Sequence, residues 1–75
     1  SSLKAGDIYY ISKDYAKAKM YYKKALDRDI KDPKSLQWVY YQYGKLARND
    51  EYLKKAVSGG GDVATAASAL ILERN

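Results

Sequence analysis

The chain contains neither cysteine nor histidine among its 75 residues. Without cysteine there is no disulfide and no thiolate metal site, and without histidine the commonest general base and metal ligand are missing. Catalysis by a Ser-His-Asp or Cys-His arrangement is therefore excluded within this sequence. There is also no signal-peptide pattern and no apolar run near the ~18 residues that a membrane span needs, so the localisation stays unknown.

The acidic residues are few, and they offer no catalytic pair. Only Glu51 and Glu73 are glutamates, and most aspartates fall at predicted caps and turns, so no two carboxyl groups share an apolar setting. The stretch SGGG at 58–61 lacks the Lys-Ser/Thr and the preceding strand of a phosphate-binding loop. We predict a protein that is not an enzyme, with no cofactor, no metal and no small-molecule substrate.

What the sequence does contain is tyrosine and lysine. There are nine tyrosines, one tryptophan and no phenylalanine, and 14 basic residues against 9 acidic ones give a formal charge of +5. Acidic residues are mixed among the lysines, so the charge favours a nucleic-acid partner only weakly. Tyrosine suits half-buried positions, where the ring packs and the hydroxyl group stays hydrated. The chain opens with Ser1-Ser2 rather than Met, and we expect it to be part of a longer protein.

Apolar residues at three- and four-residue steps predict five helices and no strand. The predicted helices are 3–11, 14–29, 34–47, 50–57 and 63–73. The connections between them are short, so we expect consecutive helices to fold back as antiparallel hairpins. Likely caps in this scheme are oxygen-bearing residues: Ser12 or Asp14, Asp32 followed by Pro33, Asn49 and Asp62.

One face of each predicted helix after the first is apolar and should form the core. These core residues are Tyr15, Ala18, Tyr22, Ala25, Leu26, Leu36, Val39, Tyr40, Tyr43, Leu46, Ala47, Tyr52, Leu53, Ala56, Val57, Val63, Ala66, Ala67, Leu70 and Ile71.

The sequence also repeats itself at a shift of 31 residues. The identical pairs are Tyr9 and Tyr40, Tyr10 and Tyr41, Ala16 and Ala47, Tyr21 and Tyr52, Lys23 and Lys54, Lys24 and Lys55, and Ala25 and Ala56. A period between 20 and 50 residues, with two helices per unit, is typical of a helical solenoid. The predicted units are 1–31, 32–61 and a partial third unit at 62–75, forming a single domain or a fragment of a longer array.

The segment AGDIYYISKDYAKAKMYYKKALDRD (5–29) resembles the tetratricopeptide repeat (TPR) family. The residues that carry the resemblance are Ala5, Gly6, Tyr9, Ala18, Tyr22, Ala25 and Leu26 in the first unit, and Tyr40, Leu53, Ala56 and Val57 in the second. The second unit departs from the family pattern at Gln37, where a glycine is expected, and at Asn49, where an alanine is expected. The third matches only at Ala67, Ser68 and Ile71. The resemblance implies an all-α, right-handed solenoid of stacked antiparallel hairpins that acts as a protein–protein interaction scaffold.

In the TPR family the first helix of each hairpin lines a concave wall, where a peptide or helix binds. The residues that this resemblance and the 31-residue shift assign to such a groove are Leu3, Asp7, Tyr10, Lys34, Trp38, Tyr41, Gln42, Lys45 and Leu72. Asp7 argues against the carboxylate clamp of some family members, because its charge would repel a terminal carboxylate. Alternatively, Trp38 and Tyr41 pack between hairpins as part of the core.

Three other functions remain open from the sequence. The lysines of the second helices, which are Lys17, Lys23, Lys24, Lys54 and Lys55, form either an ordinary solvated face or a stripe that binds nucleic acid or another anionic surface. The last helix is apolar on nearly all sides, since Ala64, Ala69 and Leu72 lie off its core face. We expect further hairpins, or self-association through 63–73, to cover it, as in an oligomerisation or spacer segment. The chain could also be an appendage of an enzyme whose catalytic part lies elsewhere.

Overall fold

The computed structural model describes residues 1–74, so Asn75 of the predicted third unit lies outside the described range. These residues form five α-helices without a strand: α1 (Ser2–Ile11), α2 (Tyr15–Leu26), α3 (Pro33–Ala47), α4 (Asp50–Val57) and α5 (Gly61–Arg74). The predicted all-helical class and the number of helices are confirmed.

Short polar side chains begin the first four helices by accepting a hydrogen bond from a free backbone amide. The caps are Ser1, Asp14, Asp32 and Asn49. Asp14 therefore caps α2 rather than Ser12, whose hydroxyl group instead donates to the carbonyl of Ile8 at 2.8 Å. The prediction that Asp62 caps the last helix is wrong, because α5 already begins at Gly61 and includes Asp62 in its first turn. α2 also ends earlier than predicted, at Leu26.

The turns α1–α2 and α3–α4 share one backbone motif. Lys13 and Arg48 adopt the left-handed conformation, with φ of 66° and 53°. The following amides, those of Asp14 and Asn49, each donate to the carbonyl five residues back at 2.9 Å, as in a Schellman motif. Because Asp14 and Asn49 also cap the next helix, one residue both closes a helix and starts its successor. This arrangement makes the hairpin turns very short.

Helices pack on their neighbours in chain order, and α3 also contacts α5. The core consists of two clusters. The first contains the buried residues Ala18, Tyr22, Ala25 and Val39, with Leu3, Tyr9, Tyr10, Leu26, Ile30, Tyr43 and Leu46 packed around it. The second contains Leu53, Ala56 and Ala67, surrounded by Tyr40, Tyr41, Val57, Val63, Leu70 and Ile71.

Two glycines allow the helices of each hairpin to approach closely. A Cβ atom on Gly6 would lie 2.8 Å from the Tyr22 ring, and one on Gly44 would lie 2.9 Å from the backbone nitrogen of Leu53. These distances are too short for any side chain, so α1 crosses α2 at Gly6 and α3 crosses α4 at Gly44. Gly44, which weakens α3 by local propensity, is therefore explained by helix packing.

The 31-residue register holds at the open ends of the two hairpins and fails at their turns. Pro33 begins α3 31 residues after Ser2 begins α1, and Val57 ends α4 31 residues after Leu26 ends α2. Within this frame, α3 is longer than α1 by about one helical turn and α4 is shorter than α2 by the same amount. As a result Ala16 lies in α2 but Ala47 lies in α3, so their identity does not reflect equivalent positions.

The predicted core is corrected at three residues. Tyr15 is 48% exposed, because it lies at the start of α2 and contacts only the Tyr10 ring among the aromatic side chains. Gln42 and Ala64 are buried instead, although neither was predicted to be in the core. Gln42 lies one turn after Val39, on the face of α3 that packs against α2.

Candidate functional site: the wall formed by α1 and α3

The carboxylate of Asp7 joins three helices through hydrogen bonds. Its Oδ1 atom accepts from the hydroxyl group of Tyr22 and from Nε1 of Trp38, the latter at 2.9 Å. The Tyr22 oxygen in turn accepts from Nε2 of Gln42 at 3.2 Å. α1, α2 and α3 are therefore connected by a chain of polar contacts, and the Trp38 indole has a fixed orientation.

Gln42 belongs to this network and not to the surface. Its side chain is completely buried, and Oε1 has no hydrogen-bond partner among the described residues. The sequence placed Gln42 at the edge of a groove, and the structure corrects this, because a completely buried side chain cannot contact a ligand at the surface. The correction follows from the rotation of α3, which turns Val39 and Gln42 together toward α2.

The environment of Tyr22 holds its hydroxyl group in the neutral form. Burial raises the pKa of Tyr22 well above its usual range, and the hydrogen bond to Asp7 and the negative charge of Asp7 raise it further. The hydrogen bond from Gln42 and the nearby Trp38 act in the opposite direction but do not compensate. Tyr22 is thus a permanent donor to Asp7 at neutral pH.

The aromatic residues of α3 continue this wall toward the hairpin turns. Trp38 and Tyr41 lie with their ring centroids 5.8 Å apart and tilted by 43°. The ammonium group of Lys45 lies 4.7 Å from the centroid of Tyr41 and donates to the hydroxyl group of Tyr10 at 2.6 Å. Trp38, Tyr41, Lys45 and Tyr10 are all half-buried, so this strip is an amphipathic surface with fixed side chains. We call it the aromatic wall.

An open cavity of about 610 Å³ adjoins the aromatic wall at Trp38. It lies between the start of α3 and the glycine turn before α5, and its lining is mostly apolar. The lining residues are Pro33, Lys34, Gln37, Trp38, Gly59, Gly60, Gly61, Asp62 and Val63. The amide of Gln37 donates to the carbonyls of Ala56 and Gly60 at 2.9 and 2.8 Å and so fixes the turn against α3. Lys34 is exposed at the rim.

The structure brings together most of the predicted groove residues, but not all of them. Asp7, Tyr10, Trp38, Tyr41 and Lys45 form one continuous surface, and Lys34 shares the cavity with Trp38. Two residues lie elsewhere. Leu3 packs against the first core cluster, and Leu72 lies in a separate groove between α4 and α5.

Sequence reasoning missed Gln37 and the glycine turn as parts of the cavity. Gln37 was noticed only as a departure from the family pattern, at a position where glycine is expected. A polar side chain of this length at a position reserved for glycine was the available signal, because it needs both space and hydrogen-bond partners.

The lysines of α2 and α4 are engaged by other residues of their own chain. Three of them lie near carboxylates, as the Lys17–Asp14, Lys23–Asp27 and Lys54–Glu51 pairs, with nitrogen–oxygen distances of 4.0, 2.9 and 3.6 Å. The other two lie over tyrosine rings: Lys24 over Tyr21 at 4.9 Å, and Lys55 over Tyr40 and Tyr52 at 5.5 and 5.8 Å. The predicted acidic and aromatic surroundings of these lysines thus take the form of specific contacts.

Two tyrosine pairs lie at positions that are 31 residues apart. Tyr9 stacks on Tyr21 with a centroid distance of 5.3 Å, and Tyr40 lies against Tyr52 at 6.1 Å. Each pair joins the first helix of a hairpin to the second, and a lysine covers each pair on the outside. The two tyrosine doublets of the sequence therefore contribute Tyr9 and Tyr40 to equivalent contacts.

Within residues 1–74, no cluster of three or more acidic side chains could hold a metal ion. No helix in this range is long and apolar enough to cross a membrane. Comparisons of the chain with protein-family models, with curated proteins and with solved structures find no match. Arguments about function therefore depend on the geometry of the chain itself.

Proposed function

We propose that this chain is a TPR-like helical repeat that acts as a non-catalytic interaction scaffold and binds a peptide or a short helix of another protein. The observation that carries the proposal is the fixed position of Trp38. Asp7 holds its indole nitrogen, Tyr41 packs against its ring, and a mostly apolar cavity of about 610 Å³ lies beside it. This volume is within the range of about 300–1,000 Å³ of typical ligand sites.

Three features support the repeat. The helices of the two hairpins start and end in the same 31-residue register, the hairpin turns use the same backbone motif, and the tyrosine pairs occupy equivalent positions. The sliding of the turn by one helical turn accounts for the poor match of the second unit to the family pattern. Asn49 replaces an expected alanine because it is the cap of α4 and not an interior residue.

The aromatic wall has the properties of a surface that binds a peptide. Tryptophan and tyrosine supply much of the affinity at protein interfaces, since they bury a large area and lose little conformational entropy. Here that entropy is already reduced, because hydrogen bonds hold Trp38, Tyr10 and Lys45 before any partner binds. Asp7 is occupied by two donors, so its carboxylate fixes the wall and does not face a ligand alone.

The contacts of the outer lysines favour this proposal over a nucleic-acid binder. Lysines that neutralise Asp14, Asp27 and Glu51 contribute little net charge toward phosphate groups. Binding to a polyanion would have to break these contacts or proceed around them. We therefore assign the lysines of α2 and α4 to a solvated face.

A selection of peptides from a random display library against the immobilised chain tests the proposal. We expect enriched peptides to share an apolar or aromatic residue and to quench or shift the fluorescence of Trp38, the single tryptophan. Trp38→Ala should weaken binding of the selected peptides by about 30-fold, which corresponds to about 2 kcal/mol for a central aromatic residue. Trp38→Phe should weaken it less, and Lys23→Ala/Lys24→Ala is the matched control with unchanged affinity.

Two results would contradict the proposed function. One is that no peptide sequence is enriched, or that the enriched peptides bind Trp38→Ala as tightly as the wild type. The other is that a single-stranded oligonucleotide binds the chain with an affinity that falls steeply with salt and is lost in Lys23→Ala/Lys24→Ala. Binding of a peptide through the aromatic wall should change little between low and high salt.

A further inference from the structure

A second apolar groove lies at the end of the molecule away from α1. It is a shallow depression of about 370 Å³ between α4 and α5, and its lining is almost entirely apolar apart from Lys54 at the rim. Val57 and Ile71 form its apolar floor, Ser68 makes it locally narrow, and Leu72 projects at its edge with 73% of its surface exposed. We call these residues the α5 face.

The 31-residue register of the proposed repeat indicates what kind of structure covers such a face. Ser68 and Ile71 correspond to Gly6 and Tyr9 of α1, two periods earlier. On α1 the same face is covered by the second helix of its hairpin, since the Tyr22 ring packs on Gly6 and Tyr21 stacks on Tyr9. Within the described part of the chain, no helix packs on the corresponding face of α5. A helix that presents a bulky side chain to the small residue at position 68 would complete the pattern.

We propose that a second copy of this chain covers the α5 face and forms a twofold-symmetric dimer. In a twofold interface the same patch must be self-complementary. The α5 face meets this condition because it carries both a projecting side chain, Leu72, and a groove lined by Val57 and Ile71. The twofold places the Leu72 side chain of each copy in the groove of the other, over Ser68, in the way that Tyr22 lies over Gly6.

The charges and the small side chains around the groove agree with this arrangement. Lys54 lies 3.6 Å from Glu51, so the rim lysines of the two copies are neutralised within their own chains. Ser68 and the exposed Thr65 and Ala69 are small, which allows two α5 helices to approach closely. The inference uses the register of the proposed repeat, but it concerns a surface separate from the aromatic wall, because Leu72 and Trp38 line different cavities.

A different exposed apolar patch provides the matched control. Ile8 and Ile11 of α1 are 64% and 79% exposed and lie outside the α5 face. If these two residues bound the α5 face of another copy, the contact would be heterologous and would produce open chains of increasing length instead of a closed dimer. Substitutions at Ile8 and Leu72 therefore distinguish the two arrangements.

Sedimentation equilibrium of the wild type, Leu72→Lys and Ile8→Lys tests the dimer at chain concentrations from about 10 μM to about 1 mM, where small interfaces associate. We expect a monomer–dimer equilibrium for the wild type and for Ile8→Lys, without larger species. Leu72→Lys should raise the dissociation constant by at least about 100-fold, because it places a charge in an apolar contact. Circular dichroism should show that both variants keep the helical content of the wild type.

Three outcomes would overturn the dimer. They are a wild type that remains monomeric at about 1 mM, a continuous series of larger species, and a loss of association in Ile8→Lys but not in Leu72→Lys. Mixing the two variants adds a second check: heterologous contacts would restore a mixed dimer, whereas the twofold dimer leaves Leu72→Lys largely monomeric. Peptides selected against the aromatic wall should bind Leu72→Lys with unchanged affinity, so a failure of the dimer is distinguishable from a failure of the proposed function.

Discussion

Replacing Tyr22 with phenylalanine removes one oxygen atom from the centre of the polar network and leaves the ring in place against Gly6. Asp7 then loses one of its two donors and keeps Trp38. Gln42 is affected more strongly, because its Nε2 atom loses its partner while its Oε1 atom already has none among the described residues. The substitution therefore leaves a completely buried amide group without hydrogen bonds.

The expected loss of stability follows from these two changes. A hydrogen bond to a charged group contributes about 1.5–3 kcal/mol, and a buried polar atom without a partner costs about 1–3 kcal/mol. Part of the first term is recovered, since Trp38 and water still solvate Asp7. We expect Tyr22→Phe to lower the free energy of unfolding by about 3 kcal/mol, out of a total of about 4–11 kcal/mol for a domain of this size. The corresponding decrease in Tm is about 10–20 °C.

A double-mutant cycle with Gln42→Met isolates the contribution of the amide. Methionine has a similar length but no polar group, so Gln42→Met also removes the unpartnered oxygen and should change stability by less than about 1 kcal/mol. In Tyr22→Phe/Gln42→Met no buried amide remains, and this variant should be about 1 kcal/mol more stable than Tyr22→Phe alone. Urea unfolding at pH 7, followed by circular dichroism at low chain concentration, measures all four proteins.

The reasoning fails if the two substitutions are additive, or if Gln42→Met destabilises the fold as much as Tyr22→Phe does. Either result would mean that Gln42 contributes through packing or through another partner and not through the Tyr22 hydroxyl group. A loss below about 0.5 kcal/mol in Tyr22→Phe would likewise show that water replaces the missing hydroxyl group, as at a surface position.

Two further predictions concern pH and the close crossing of α3 and α4. Because burial and then Asp7 raise the pKa of Tyr22 above the value of about 10 in the unfolded chain, its stabilising contribution is complete below pH 10 and is lost as the pH rises toward the folded-state pKa; urea unfolding above about pH 10 should show the wild type losing more stability than Tyr22→Phe, and parallel losses would contradict this. Gly44→Ala should lower the free energy of unfolding by about 1–3 kcal/mol despite a gain of about 1 kcal/mol in helix propensity, because the new Cβ atom would lie 2.9 Å from the backbone nitrogen of Leu53; an equally stable or more stable variant would show that the crossing can widen.

The sequence predicted the helices well because the signals for them are local. Asp32 followed by Pro33 begins α3, and Asn49 begins α4, through contacts that span only two or three residues. Prediction failed where the chemistry was also local but ambiguous. The aspartate at position 62 is a good cap by composition, yet the two glycines before it adopt positive φ and allow α5 to start at Gly61.

The candidate site was predicted only in part, because the rotation of α3 depends on its neighbours. Periodicity shows that α3 has two apolar faces, but not which of them meets α2. Tyr22 decides this by accepting a hydrogen bond from Gln42, a residue 20 positions away, and by donating to Asp7, a residue 15 positions away. Trp38 consequently lies half-buried beside the cavity. Leu72 was assigned to the same surface by the register alone and lies elsewhere, because α5 meets α4 there.

The amino-acid sequence by itself determined the number of helices, their caps, the 31-residue recurrence and the absence of cysteine and histidine chemistry. Each of these depends on the identity of a residue or on neighbours within one or two turns. Tertiary structure alone decided that Asp7 connects three helices, that Gln42 is buried and that the hairpin turn moves by one helical turn in the second unit. These properties depend on contacts between residues that are distant along the chain, and the close approach at Gly6 and Gly44 sets their geometry.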